Sequence, residues 1–102
     1  MAFLIVEEHG QTRHVPLTGI KAVIGRAPDA DIVISDDKSS RHHAVLEYEG
    51  DTYTLRDLKS LNGCFVDGMR VREHTLRFGD SFTIGNARFT LETETATAFD
   101  TR

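Results

Sequence analysis

An all-β sandwich of two twisted, mainly antiparallel sheets is the fold class this sequence predicts. Short stretches rich in β-branched and aromatic residues recur with turn signals every eight to twelve positions or so. No segment carries apolar residues at helical spacing over three turns. Several of the turns read as tight hairpins, and joined antiparallel strands need a second sheet to cover their apolar face.

The strands are expected at 3–7, 13–17, 21–25, 32–34, 43–48, 52–57, 64–66, 69–71, 81–84 and 87–92. The opening run Met1 to Val6 lacks a basic start and a small-residue cleavage site and stops at Glu7-Glu8, so it reads as a first strand and not as a secretion signal. Glu49-Gly50-Asp51, Asp67-Gly68 and Gly85-Asn86 supply hairpin turns. Alternation in the strand 43–48 places Ala44, Leu46 and Tyr48 toward the core and His43, Val45 and Glu47 on the other side. His43, first in that strand, is expected beside the preceding loop. From Thr93 the apolar pattern stops, which divides the chain into a domain at 1–92 and a flexible tail or start of a linker at 93–102.

At 102 residues the chain has the length of one ordinary domain. The apolar fraction of 39% is normal for a soluble fold, and no apolar run approaches the roughly 20 residues of a membrane helix, so no membrane contact is expected. A lone Cys64 cannot form an internal disulfide, and a cytoplasmic location is the default expectation. Net charge is −4, with a pI of about 5.7, which argues against general nucleic-acid binding. Yet Arg26, Lys38, Arg41 and Lys59 cluster in or beside three polar runs. A small positive pocket on an acidic body suits one or two phosphates.

Those runs are Ile24-Gly25-Arg26, Ser40-Arg41-His42-His43-Ala44 and Ser60-Leu61-Asn62-Gly63. Gly25-Arg26 closes a strand, and Pro28 biases Ala27 to an extended shape, so Arg26 is offered at a loop mouth. Its planar guanidinium matches phosphate oxygens; an ion pair with Asp29 or Asp31 is the plainer alternative. The second run holds two Ser-x-x-His pairs, Ser39 with His42 and Ser40 with His43, of which the latter is preferred because His43-Ala44 begins the alternating strand. Asn62 sits in a turn with amide donor and acceptor both free to read a peptide backbone.

In this order the runs resemble the forkhead-associated (FHA) domain, whose pattern is glycine-arginine, then serine-arginine-x-histidine, then asparagine-glycine. The resemblance extends from Phe3 to about Leu91 and includes Ile32-Val33-Ile34, Arg56-Asp57-Leu58, Val66-Asp67-Gly68 and Arg77-Phe78-Gly79-Asp80. It implies about eleven strands, with loops at one end that bind phosphothreonine in an extended peptide. Carried over, Arg26 and Ser40 are expected to contact the phosphate, Arg41 to line that pocket, and Asn62 to grip the peptide main chain. Lys59, Ser60 and Leu61 fall in the loop that helps hold the phosphothreonine and select its neighbours. His43 is expected to brace the loops, with Gly25 and Gly63 allowing close turns. Ser39, where the family commonly has an apolar residue, and Cys64, where a threonine is common, are departures.

Other functions fit less well. No partner motif activates Cys64, the five histidines lack paired zinc spacings, and no glycine-x4-glycine-lysine loop occurs, so neither an enzyme nor a metal or other cofactor is expected. The sequence-level expectation is a non-catalytic phosphothreonine-peptide recognition module that binds Ser/Thr kinase substrates, as the N-terminal part of a larger signalling or regulatory protein. An alternative keeps the fold and has it bind its own phosphorylated tail, at Thr93, Thr95, Thr97 or Thr101, or that of a second copy.

Overall fold

The computed structural model describes residues 2–93, which form eleven strands and, among the described residues, no helix. One sheet has the order β2 (Gln11–Pro16), β1 (Ala2–Glu8), β11 (Ala87–Thr93), β10 (Ser81–Ile84), β7 (Cys64–Val66), β8 (Met69–Val71). The other runs β4 (Ile32–Val33), β3 (Lys21–Gly25), β5 (Ala44–Glu49), β6 (Thr52–Asp57), β9 (Glu73–Leu76). All pairings are antiparallel except β3 with β4.

Alternating inward side chains from both sheets make the core. Leu4 and Val6 of β1 and Phe89 and Leu91 of β11 face Ile24, Leu46 and Leu55 from the second sheet, and all are buried. Phe82 and Phe89, directly opposite in the β10–β11 ladder, stack with centroids 4.8 Å apart. Burying each such ring contributes about 1.5–3 kcal/mol. The connections His9–Gly10, Gly50–Asp51 and Asp67–Gly68 each place both central residues at positive φ, the geometry that matches the strands' right-handed twist.

Three sequence expectations need correction. β9 was not anticipated, because this edge strand carries a single strongly apolar inward residue, Leu76, and pairs only with β6. Val45, expected on the outer side, is 3% exposed: β5 is the middle strand of its sheet, and Val23 and Arg56 flank Val45 on the neighbouring strands. Tyr48, expected in the core, is 38% exposed at the end of β5, where its ring lies 4.7 Å from that of Tyr53 and its hydroxyl donates to Asp51. Thr93 closes β11 and so belongs to the sheet, while the other tail threonines lie outside the described residues.

The long connection from β4 to β5 holds the serine run, and a carboxylate ties it to the opposite sheet. Asp36 is buried; its oxygens accept the N–H of Lys38 at 2.8 Å and that of Asn86, in the β10–β11 turn, at 2.6 Å. The Lys38 N–H and, after it, that of Asn86 hold the Asp36 carboxyl below the ordinary aspartate range, against the opposing effect of burial. A carboxyl lowered on folding adds stability above its unfolded-state value, and that stability is lost as pH falls through the lower folded-state value. Asp36→Asn sets an amide NH2 against one of these N–H groups and is expected to cost about 2 kcal/mol at pH 7. In denaturant titrations the gap between parent and variant should shrink below about pH 4; an unchanged gap at pH 2.5 would contradict this role for Asp36.

Candidate functional site

Ladder hydrogen bonds continue past the end of β3 and zip its following loop to the serine run. His43 N–H donates to the Ile24 carbonyl at 2.8 Å, Arg26 N–H to Ser40 at 3.0 Å, and Ala27 N–H to Arg41 at 3.0 Å. This approach is possible because residue 25 has no side chain: a Cβ there would lie 1.9 Å from the Arg41 carbonyl oxygen. The glycine thus sets Arg26 beside Ser40 and Arg41.

His43 fixes the other side. The ring is fully buried; Nδ1 accepts the Ser40 N–H at 2.9 Å and Nε2 lies 2.8 Å from the Gly63 carbonyl oxygen. An amide can only donate and a carbonyl only accept, so these partners require the Nε2–H tautomer. One imidazole therefore joins the serine run to the Asn62-Gly63 turn. Gly63 holds φ +86, a region that favours glycine.

The Arg26 Nε donates to the Ser39 carbonyl at 2.6 Å, which aims the guanidinium and leaves its terminal nitrogens without a hydrogen bond among the described residues. Neither alternative ion pair forms. Asp29 pairs with His42 at 2.9 Å, and that hydrogen bond holds the Asp29 carboxyl below its ordinary value. Asp31 accepts the Val23 N–H at 2.8 Å. Arg41 is exposed and its side chain makes no hydrogen bond or ion pair among the described residues.

The loop after β6 has its own internal frame. Asp57 accepts the Ser60 N–H at 3.1 Å and the Ser60 hydroxyl, while that hydroxyl accepts the Gly63 N–H at 3.0 Å. Ser60, expected to face a peptide, is instead buried and committed to the loop. Asn62 was expected to have its amide free, but Nδ2 donates to the Lys38 carbonyl at 2.7 Å, binding this loop to the serine run; the second N–H and the carbonyl oxygen remain available. Leu61 is 83% exposed at the tip, and its N–H lies 3.4 Å from Ser40 Oγ. Lys59 is exposed and sits at φ 58.

The structure thus brings Arg26, Ser40, Arg41, Leu61 and Asn62 together at one end of the sandwich, supported by Gly25, His43, Ser60 and Gly63, whereas Lys59 lines a separate groove with Arg56, Arg70 and Arg72. Asp36 and Asp57 are supports that sequence reasoning missed. For Asp57 the aspartate three residues before Ser60 was an available local signal. The link from Asp36 to Asn86, across fifty positions, left none.

The profile of the FHA domain matches residues 22–85. The chain belongs to the FHA-domain family. It is 51% identical over 63 residues to the ABC transporter ATP-binding/permease protein Rv1747 of Mycobacterium tuberculosis, covering 62% of this chain and 7% of that one. It is 40% identical over 86 residues to the transcriptional regulatory protein EmbR of the same organism, covering 83% and 22%. The chain therefore spans under a quarter of either relative. The solved structure of M. tuberculosis EmbR in complex with a low-affinity phosphopeptide superposes with a TM-score of 0.79 at 36% identity, over 88% of this chain and 24% of that one. An FHA domain studied for phosphothreonine-dependent interactions superposes at 0.79 and 29%, over 90% and 95%.

Two further groups bear on chemistry. Cys64 is fully buried, and burial, followed by the nearby Asp57, pushes its thiol well above the ordinary range, the reverse of what a nucleophile needs. Among the described residues, His43, Asp57 and Cys64 form one grouping of metal-ligand type, with donor atoms within 4.8 Å of one another. Both His43 nitrogens are already engaged there, and the Asp57 carboxylate is held by Ser60.

Replacing His43 with Ala leaves the Ser40 N–H and the Gly63 carbonyl without partners inside the fold. Each such group costs about 1–3 kcal/mol, so His43→Ala should lose about 3 kcal/mol or more by chemical denaturation. A loss under about 1 kcal/mol would mean that the loops are held by other contacts.

Proposed function

We propose that the loop end of this sandwich recognises phosphothreonine in an extended peptide, without catalysis. The observation that carries the reading is the Arg26 guanidinium, aimed by the Ser39 carbonyl, left unpaired by the nearby acids, and set beside a Ser40 whose backbone His43 fixes. The phosphopeptide complex of EmbR and the phosphothreonine-dependent interactions of a second family member support it.

Each residue has a distinct task in this reading. Arg26 and the Ser40 hydroxyl take phosphate oxygens, and Arg41 adds charge at the rim. Asn62 offers its remaining N–H and carbonyl oxygen to the peptide main chain, and Leu61 and Lys59 meet neighbouring residues. Ser60, Gly25, His43 and Gly63 hold the frame. Because the frame is bonded before any ligand arrives, little ordering is required of the protein itself, though the peptide still loses chain entropy. An affinity in the micromolar range, near −8 kcal/mol, is expected. The partners are then proteins phosphorylated on threonine by Ser/Thr kinases, met in a cytoplasmic signalling or regulatory setting.

Titration calorimetry with a phosphothreonine peptide and its unmodified copy tests this. Arg26→Ala should abolish the difference between the two peptides, and Asn62→Ala should weaken every peptide that binds. Phosphothreonine has a second pKa near 6 and loses charge below it, so affinity should fall as pH drops from 7.5 to 5. Equal affinity at both values, or an Arg26→Ala variant that binds like the parent, would remove phosphate from the account.

A further inference from the structure

Asn62 and Gly63 form the single Asn-Gly pair in the sequence; the other asparagine, Asn86, precedes Ala87. A glycine in second place leaves its backbone nitrogen unshielded by a Cβ, so that nitrogen can reach the side-chain carbonyl carbon of the asparagine and close a succinimide ring. Asn62 is exposed at the loop tip, whereas Ala87 is buried and paired with Ile84 in the β10–β11 ladder. Neither member of the pair is readily replaced. Gly63 holds φ +86, and a Cβ there would run into the Arg70 side chain, while the Asn62 amide ties this loop to the serine run. Two hydrogen bonds restrain the reacting groups instead. Asn62 Nδ2 donates to the Lys38 carbonyl at 2.7 Å, which draws the side chain toward the serine run, and the Gly63 N–H donates to Ser60 Oγ at 3.0 Å, which fixes the plane of the attacking nitrogen.

We propose that Asn62 is a site of spontaneous covalent modification whose rate is set by the state of the loops. The Gly63 nitrogen, on losing its proton, bonds to Asn62 Cγ; the Cγ–Nδ2 bond breaks and the side-chain nitrogen leaves as ammonia. Water then adds to either carbonyl of the ring and gives aspartate or isoaspartate, with no oxidant or further reagent required. Either product damages the frame. A carboxylate cannot donate to the Lys38 carbonyl, so the tie between the loops becomes a repulsion of two acceptors. Isoaspartate also lengthens the main chain by a carbon just before Gly63, whose carbonyl meets His43 Nε2 at 2.8 Å. The new negative charge lies next to Leu61, whose N–H points to Ser40 Oγ at 3.4 Å, and so beside the place given to the phosphate. That last consequence rests on the phosphothreonine reading of the site; the modification itself does not. Under that reading a bound peptide occupies the remaining amide groups of Asn62, so occupied copies are preserved and idle ones are silenced with age.

The 102-residue chain is incubated at mildly alkaline pH, and peptide mass spectrometry follows the exchange of ammonia for water at Asn62 and at Asn86. A synthetic peptide of residues 58–66 supplies the unrestrained rate. Each hydrogen bond that must open first slows the reaction about fivefold at the net worth of an ordinary one, so the folded chain should modify Asn62 about thirtyfold more slowly than the peptide, yet faster than Asn86. Ser60→Ala removes the partner of the Gly63 N–H and should speed the reaction about fivefold. A phosphothreonine peptide at about ten times its dissociation constant should slow the parent about tenfold, a comparison that needs no variant. Asn62→Asp should bind that peptide about tenfold more weakly than the parent does. A folded-chain rate equal to that of the 58–66 peptide, an intact Asn62 where Asn86 has reacted, or a Ser60→Ala rate no faster than the parent's overturns the proposal. If no phosphothreonine peptide binds the parent, the phosphate reading of the site falls, and the comparison with the 58–66 peptide still decides the modification.

Discussion

One buried imidazole determines where everything at the functional end sits. The His43 ring accepts from Ser40 on one nitrogen and meets the Gly63 carbonyl on the other, and so converts two loops twenty residues apart into one surface. Gly25 makes the complementary contribution on the other flank, because the Arg41 carbonyl occupies the space a side chain would need. With those two constraints met, the orientation of Arg26, the position of Ser40 and the reach of Asn62 follow from ordinary hydrogen bonding.

Charge is handled in the same economical way. The chain is acidic, but four carboxylates close to the loops are each committed to a specific donor: Asp29 to His42, Asp31 to Val23, Asp36 to Lys38 and Asn86, Asp57 to Ser60. Among the described residues, neither the Arg26 nor the Arg41 guanidinium forms an ion pair. Donors held in place before the ligand arrives lose little entropy on binding, which favours selectivity for phosphate over mere attraction to anions.

Much of this was legible in the sequence, for identifiable reasons. Period-two alternation and hairpin turns such as Asp67-Gly68 gave ten of the eleven strands, since both signals are local. The missing one, β9, is an edge strand with Leu76 as its one buried residue and reads as polar chain. The glycine-arginine, serine-arginine-x-histidine and asparagine-glycine runs marked the loop end because each has a characteristic composition. What could not be read was which polar groups spend their capacity on each other. Ser60 looks as available as Ser40 in the sequence, yet it is turned inward onto Asp57. Asp36 looks like a surface acid, yet it ties two sheets together through Asn86. Ser39, unexpected at an apolar position, is buried with its hydroxyl donated to the Asp36 carbonyl and its own carbonyl orienting Arg26.

Amide chemical-shift mapping during titration with a phosphothreonine peptide tests the central claim most directly. The account predicts that the phosphorylated peptide perturbs Arg26, Ser40, Arg41, Leu61 and Asn62 in a saturable way and that the unmodified copy leaves them unchanged. Equal shifts with both peptides, or shifts confined to the opposite end around Ile20, Tyr48 and Phe78, would contradict it.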